Sequence, residues 1–146
     1  MNLLTWGILG LFTGTFLSAT LLPFPSEALV VGFYQLDYPF WTVLIIATAG
    51  NLLGGLTNYY IGFKSNSERL IKRFKLNEFT ISQWEQRLSK WGVWLGLLAW
   101  LPIIGDPMVA VLGFFKVKWI PLTVMMLIGK FLRYFFLLYF FEQLIR

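Results

Sequence analysis

The chain has 146 residues, of which 58% are apolar and only 13% are charged, about half the roughly 25% charge of an ordinary soluble domain. Between Met1 and Phe63 the only charges are Glu27 and Asp37, so the composition excludes a soluble globular protein and predicts one membrane domain. The sequence contains no histidine and no cysteine, which excludes disulfides, Ser–His nucleophile pairs and the commonest metal ligand. We therefore expect no metal and no cofactor.

The N-terminal part of the chain is apolar and is divided by prolines. Residues 3–22 are about long enough to cross a bilayer, which takes roughly 20 helical residues. Pro23 and Pro25 break this segment, and the apolar run 28–36 that follows is too short to cross. The pattern predicts a re-entrant hairpin, or a long helix with a short return, that brings Asp37 back to the side of the N-terminus.

A charge-free run, residues 39–63, comes next and is long enough to span a tilted path through the membrane. Asn51 and Asn58 lie on one face of this helix, and Gly50 and Gly54 form a pair of small residues on an adjacent face. Close helix packing with amide hydrogen bonds is the favoured interpretation, because small residues are the usual helix interface in lipid. The alternative is that the two asparagines line a substrate path.

Residues 64–90 form the connector, a sustained polar stretch with seven Lys or Arg against three Glu. A capping-box pattern that begins at Thr80 predicts the start of a helix. Trp84, Leu88 and Trp91 share one face of that helix, which indicates an interfacial amphipathic helix with tryptophan at the headgroup level. A plain solvated linker is the alternative.

Residues 91–146 repeat residues 1–63 at one constant spacing: Pro102, Asp106 and Gly129 match Pro23, Glu27 and Gly50. Each unit is predicted to be a proline-broken hairpin plus one crossing, so the two units are inverted in the membrane. The positive-inside rule then places the connector in the cytoplasm and both termini outside. The predicted fold is an all-α membrane protein with two inverted repeats, an architecture that recurs in secondary transporters.

The last apolar span, residues 120–141, carries Lys130 and Arg133 in its middle, three apart and so on one face. Two cations at this depth cannot face lipid cheaply. They can form a structural salt bridge with Glu27 and Asp106, or they can clamp a phosphate, with arginine as a bidentate fork and lysine as a point charge. Both interpretations stay open.

The two acids also have a local explanation. Asp106 followed by Pro107 fits a helix N-cap and its first residue, and Ser26 can cap the return arm that contains Glu27. The functional alternative is that Glu27 and Asp106 carry protons or balance the cations. Nine further residues are assigned to a pocket or to helix packing: Pro23, Ser26, Gly50, Asn51, Gly54, Asn58, Pro102, Gly105 and Gly129.

Four stretches together resemble the DedA, or VTT-domain, membrane protein family in its short YqaA-like branch: residues 21–27, 50–58, 100–106 and 129–134. The resemblance implies two re-entrant hairpins packed among spanning helices. It also implies a role in moving lipids between leaflets, among them undecaprenyl phosphate and phospholipids, and in envelope homeostasis. The chain departs from the family pattern at Pro25, where the family has an acid.

The resemblance, together with the paired charges, leads us to expect a proton-coupled flippase of a phosphorylated lipid in the bacterial inner membrane, and not an enzyme. Its partners are the bilayer, the lipid phosphate and protons, and homo-oligomerisation stays open. Nucleic acid is not expected, because the basic residues behind the net charge of +5 cluster beside apolar spans. The alternatives are an intramembrane enzyme with Glu27 and Asp106 as an acid pair, and a structural or ion-homeostasis membrane protein.

Overall fold

The computed structural model of the protein describes residues 2–20, 24–65, 67–75 and 77–145. Within these ranges every regular element is a helix, which confirms the all-α prediction. A 3-10 helix, Gly96–Trp100, lies between the fifth and sixth α-helices. The helices are α1 (Leu3–Thr20), α2 (Ser26–Gln35), α3 (Phe40–Lys64), α4 (Ser67–Phe74), α5 (Glu78–Leu95), α6 (Gly105–Phe114) and α7 (Trp119–Ile145). Pro23, predicted to break the first segment, lies outside the described residues.

In the described part of the chain, three helices are long and apolar enough to cross a membrane: α1, α3 and α7, with 18, 25 and 27 residues. A crossing takes roughly 20 residues. Helices α2 and α6 have 10 residues each, a rise of about 15 Å, which is half the roughly 30 Å of a hydrocarbon core. The two short helices therefore cannot span a bilayer by themselves.

The backbone repeats along the chain. Helix α6 begins 79 positions after α2, and α7 begins 79 positions after α3. The turns that follow the short helices repeat as well: Asp37 and Lys116 have φ of 62° and 55°. Their N–H groups donate to the carbonyls of Tyr34 and Gly113. The spacing of the sequence motifs is thus also a spacing of helices and turns.

Helix α3 lies at the centre of the fold and packs closely on α1. A Cβ on Gly50 or Gly54 would meet the carbonyl oxygens of Phe12 and Phe16, so the two helices approach backbone to backbone. Small residues allow such an approach.

Helices α3 and α7 run antiparallel. Asn51, in the middle of α3, contacts Lys130, whereas Phe40, at the start of α3, packs edge-on against Phe135, with the ring centroids 5.9 Å apart. Positions along α3 therefore fall as positions along α7 rise. This is the direction that an inverted repeat requires, and the inversion across a membrane remains a prediction.

Helix α6 is seated directly on the backbone of α3. A Cβ on Gly113 would meet backbone atoms of Tyr59, and a Cβ on Gly62 would meet the carbonyl oxygen of Ala110. The Tyr59 hydroxyl also donates to the carbonyl of Val117, at 2.5 Å. This contact fixes the C-terminal half of α6 against the end of α3.

The equivalent contact in the other half of the molecule is built differently. Tyr34 and Phe141 occupy the positions that match Gly113 and Gly62, and their rings meet edge-on with centroids 6.3 Å apart. Two aromatic rings therefore separate α2 from α7 where two glycines bring α6 onto α3. The short helices, the long helices and the turns after the short helices recur at one spacing, but their packing differs.

Replacing Gly113 by alanine is expected to lower the free energy of unfolding by roughly 1–3 kcal/mol, the usual cost of overpacking, because the added carbon meets backbone atoms that cannot turn away. Gly32→Ala is the matched control: it lies in α2 and its Cβ meets nothing within 4 Å. Alanine there should stabilise the helix by about 0.5–1 kcal/mol. Thermal unfolding in detergent measures both changes, and equal shifts would contradict the close contact.

The connector helix differs from its prediction at both ends. Its N-cap is Asn77, whose side chain accepts from the N–H of Phe79 at 3.0 Å, so the predicted capping box at Thr80 is wrong. An asparagine carbonyl just ahead of the first turn satisfies that turn's donors before Thr80 is reached. The helix then continues to Leu95, and the boundary set after Lys90 falls inside it.

The side chains on the predicted apolar face of α5 are partly buried and partly exposed. Leu88 is buried against the bundle, whereas Trp84 and Trp91 are exposed. Arg87 and Lys90 lie over the rings of these two tryptophans, at 5.6 Å and 5.7 Å from the ring centroids. The interfacial position of this helix remains a prediction.

Candidate functional site

The N-terminal ends of both short helices meet the middle of α7. Glu27, in the first turn of α2, forms an ion pair with Arg133. Asp106, in the first turn of α6, lies 3.0 Å from the ammonium of Lys130. The structure therefore brings together the two acids and two cations that the sequence singles out, as two separate pairs.

Lys130 is the more deeply enclosed of the two cations, with no exposed surface. Its ammonium donates to the side-chain oxygen of Asn51 and to Asp106. The amide nitrogen of Asn51 in turn donates to the carbonyl of Thr15, at 3.3 Å. A buried ion pair is tolerated when its remaining polar groups are satisfied in this way, so these contacts fasten α1, α3, α6 and α7 to one another.

The second pair is more open. The side chains of Arg133 and Glu27 are 13% and 33% exposed. The guanidinium carbon of Arg133 also lies 5.5 Å from the centroid of the Tyr134 ring. Arg133 is therefore held by neighbours and still has surface that a ligand can reach.

Ser26 has a partner that the sequence did not suggest. The Tyr134 hydroxyl donates to the Ser26 hydroxyl oxygen at 2.8 Å, and both residues are buried. The N-cap of α2 is Pro25, and no side chain caps it. The capping role predicted for Ser26 is therefore wrong, because Ser26 is already inside the first turn and its side chain faces α7.

The capping role predicted for Asp106 is also wrong. Helix α6 begins at Gly105, its N-cap is Ile104, and no side chain caps it. Asp106 thus lies inside the first turn, with its carboxylate on Lys130. An ion pair with a buried ammonium holds this carboxylate more strongly than a cap, which is worth about 1 kcal/mol.

These side chains surround a cavity of about 520 Å³, within the roughly 300–1,000 Å³ that is usual for small-molecule sites. Arg133 lines the cavity and Lys130 does not, so only one half of the predicted phosphate clamp faces it. The lining residues come from α1, α2, α3, α6, α7 and the loops before α2 and α6: Ser18, Ala19, Thr20, Phe24, Pro25, Ser26, Glu27, Asn51, Pro102, Ile103, Asp106, Pro107 and Arg133.

Five of the eight described residues that were assigned to a pocket or to packing do not line the cavity. Asn58 donates to the carbonyl of Ala19 at 2.5 Å, which is the favoured packing role. A Cβ on Gly105 would meet backbone atoms of Ala99, and one on Gly129 would meet the carbonyl oxygen of Leu97. Of the nine, Ser26, Asn51 and Pro102 line the cavity, and Asn51 also joins the Lys130 contacts.

Sequence reasoning missed Tyr134 and Ser18. Ser18 lines the cavity, and its hydroxyl lies 3.5 Å from the amide nitrogen of Asn51. Both are uncharged residues inside apolar helices, so composition gives no signal for them. The available signal is helical spacing, since Tyr134 follows Lys130 by four positions and lies on the same face. In the described part of the chain no cluster of three acidic residues could hold a metal ion.

Comparison with known proteins identifies the family of the chain. The VTT domain family model matches residues 22–143. The inner membrane protein YqaA of Escherichia coli (strain K12) is 35% identical over 133 residues, 87% of this chain and 85% of the relative. An uncharacterised protein of Haemophilus influenzae is 32% identical over 139 residues, 88% of this chain and 83% of the relative. No solved structure matches the chain significantly. The chain belongs to the VTT-domain, or DedA, family of membrane proteins.

Proposed function

We propose that the protein moves a phosphorylated lipid between the leaflets of the bacterial inner membrane, with its headgroup passing through the cavity. The observation that carries the proposal is the partly exposed Glu27–Arg133 ion pair in the cavity wall. Arginine binds phosphate oxygens through a planar fork of N–H donors. Glu27 occupies those donors when no ligand is bound.

Proton coupling follows from this competition. A protonated Glu27 loses its attraction for Arg133 and leaves the guanidinium to a phosphate, whereas an ionised Glu27 displaces the phosphate again. Lys130 lies behind Asp106, so its charge reaches the cavity only when Asp106 is protonated too. One carboxyl at the open pair and one at the buried pair thus set the net charge of the site.

The membrane arrangement in the proposal is the inverted repeat. Helices α2 and α6 are return arms of re-entrant hairpins, and their N-terminal ends reach the middle of the bilayer from opposite sides. Three observations support this: the short helices are half the length of a crossing, α3 and α7 are antiparallel, and both short helices reach the centre of α7. Irregular backbone at such depth is tolerated where protein or a wet cavity surrounds it.

The lipid tails stay in the bilayer. Phe24 and Ile103 line the cavity at equivalent positions of the two repeats, and their side chains are largely exposed. Large apolar side chains beside a charged pair suit a ligand with a charged head and hydrocarbon chains. A cavity that binds only a free anion does not need large apolar side chains in its wall.

The two alternatives have different support. An acid pair that shares one proton requires two carboxyls facing each other, but here each carboxylate has its own cation. A purely structural role is favoured by the complete burial of Lys130. It does not explain why the Glu27–Arg133 pair remains open to a cavity.

A leaflet-exchange assay in proteoliposomes tests the proposal. The purified protein should speed the exchange of a labelled lipid phosphate and leave unchanged the same lipid without its phosphate. Exchange of neither lipid would overturn the proposal. Peptide cleavage by the same preparation in detergent would favour the intramembrane enzyme.

The proposed orientation can be tested with single cysteines, since the chain contains none. Gln86→Cys on α5 should be shielded from an impermeant thiol reagent in intact cells, and Gln143→Cys near the end of α7 should be labelled. Both glutamines are exposed, so the two variants match in chemistry and in access. Permeabilised cells serve as the control, in which both cysteines react. Labelling of Gln86→Cys alone in intact cells would reverse the orientation.

A further inference from the structure

Most serine and threonine hydroxyls in the spanning helices donate to a carbonyl of their own helix. Among the described residues, seven donate to a carbonyl three or four residues back: Thr13, Thr15, Ser18, Thr20, Thr48, Thr57 and Thr123. A hydroxyl has one proton, so a group that gives this proton to its own helix has none left for a ligand.

Ser26 is different because it is the first residue of α2. Its hydroxyl donates to no carbonyl of the described residues. Its oxygen accepts the proton of Tyr134 at 2.8 Å, and the phenol is the more acidic of the two hydroxyls, which favours this direction. The proton of Ser26 therefore remains uncommitted among the described residues, at a side chain that lines the cavity.

We propose that Ser26 donates a hydrogen bond to the anionic headgroup held by Arg133, and that Tyr134 is the positioning residue that directs this donor. The inference rests on the proposed function and deepens it. Ser26 and Glu27 are neighbours on α2, and their partners Tyr134 and Arg133 are neighbours on α7. When Glu27 leaves Arg133, the neutral Ser26–Tyr134 bond still holds the first turn of α2, with the serine proton beside the freed guanidinium.

The test is the affinity of the purified full-length protein for dodecyl phosphate, with inorganic phosphate as a second ligand, followed by calorimetry in detergent. Ser26→Ala should weaken binding roughly 10- to 100-fold, the usual contribution of a hydrogen bond to a charged group. Ser26→Thr keeps the hydroxyl and should bind nearly as the unmodified protein does. Tyr134→Phe leaves the donor but not its orientation, so we expect a smaller loss, roughly threefold.

The combination of the two changes separates positioning from a structural role. If Tyr134 acts only through Ser26, then Tyr134→Phe should have no further effect on affinity once Ser26 is alanine. Additive losses would overturn the positioning role, and unchanged affinity in Ser26→Ala would overturn the donor. Should Ser26→Ala not fold, Ser26→Cys replaces it, because a thiol is a weak donor.

Thr48→Val is the matched control. Thr48 is also buried in a spanning helix, and its hydroxyl donates to the carbonyl of Leu44 at 2.7 Å. Removing it should leave the affinity unchanged. Binding of dodecyl phosphate alone identifies a lipid headgroup as the ligand. Binding of both ligands shows that the site also accepts free phosphate. An unmodified protein that binds neither ligand would overturn the proposed function itself, which distinguishes that failure from a failure at Ser26.

Discussion

Asp106→Asn is expected to destabilise the protein by about 3–5 kcal/mol, the usual cost of removing one partner from a buried ion pair. Asp106 supplies the negative charge for Lys130, which has no exposed surface. Asn51 remains as a hydrogen-bond acceptor, but a neutral oxygen does not balance the ammonium charge. Unfolding in detergent, followed by tryptophan fluorescence, measures the loss.

The second step of this experiment removes the charge that was left behind. Adding Lys130→Met to Asp106→Asn should recover most of the lost stability, because the apolar side chain needs no partner. A double-mutant cycle gives the coupling directly, and additive losses would show that the two groups do not interact. Asp37→Asn is the control for the same chemical change at an exposed turn. Asparagine tolerates the positive φ of that position, so the change should stay within about 0.5 kcal/mol.

The sequence predicted the spacing of the short helices because its signals are strong and local. Pro25 and Pro102 interrupt apolar runs, and charges inside those runs are rare enough to mark positions. Acidic partners for Lys130 and Arg133 could be expected, because an unpaired cation is costly at that depth of the membrane. In both ion pairs of the structure the partner is an acid that lies beside an apolar segment, Glu27 or Asp106.

What the sequence could not predict depends on which helices touch. Nothing local shows that Arg133 pairs with Glu27 and Lys130 with Asp106, because the four charges are compatible with either pairing. The bond from Tyr134 to Ser26 joins residues from opposite ends of the chain. The different packing of α2 and α6 is a property of the assembled bundle as well. In one half Gly113 contacts the backbone of α3, and in the other half the ring of Tyr34 contacts a ring of α7.

Arg133→Gln should abolish transport of the lipid phosphate while the protein remains folded. The change removes the cation that lines the cavity, and losing one partner of a charged contact costs about 2–5 kcal/mol of ligand binding, roughly 30- to 5,000-fold. Glu27 is left without its partner, but it is one-third exposed, so the fold should survive. Arg87→Gln, on the exposed surface of α5, is the matched control and should transport as the unmodified protein does.

The Glu27–Arg133 pair in the cavity wall also implies that transport depends on pH. In the unmodified protein, transport should increase as the pH falls through the range in which Glu27 takes up a proton, because protonation frees Arg133 for the phosphate. Glu27→Gln cannot ionise, so it should bind the lipid phosphate at every pH and lose this dependence. Rates in proteoliposomes at a series of pH values measure it. If the pH dependence of transport persists in Glu27→Gln but is lost in Asp106→Asn, the coupled proton binds Asp106 and not Glu27. Full transport by Arg133→Gln would leave both ion pairs with a structural role alone, since no other cation lines the described cavity.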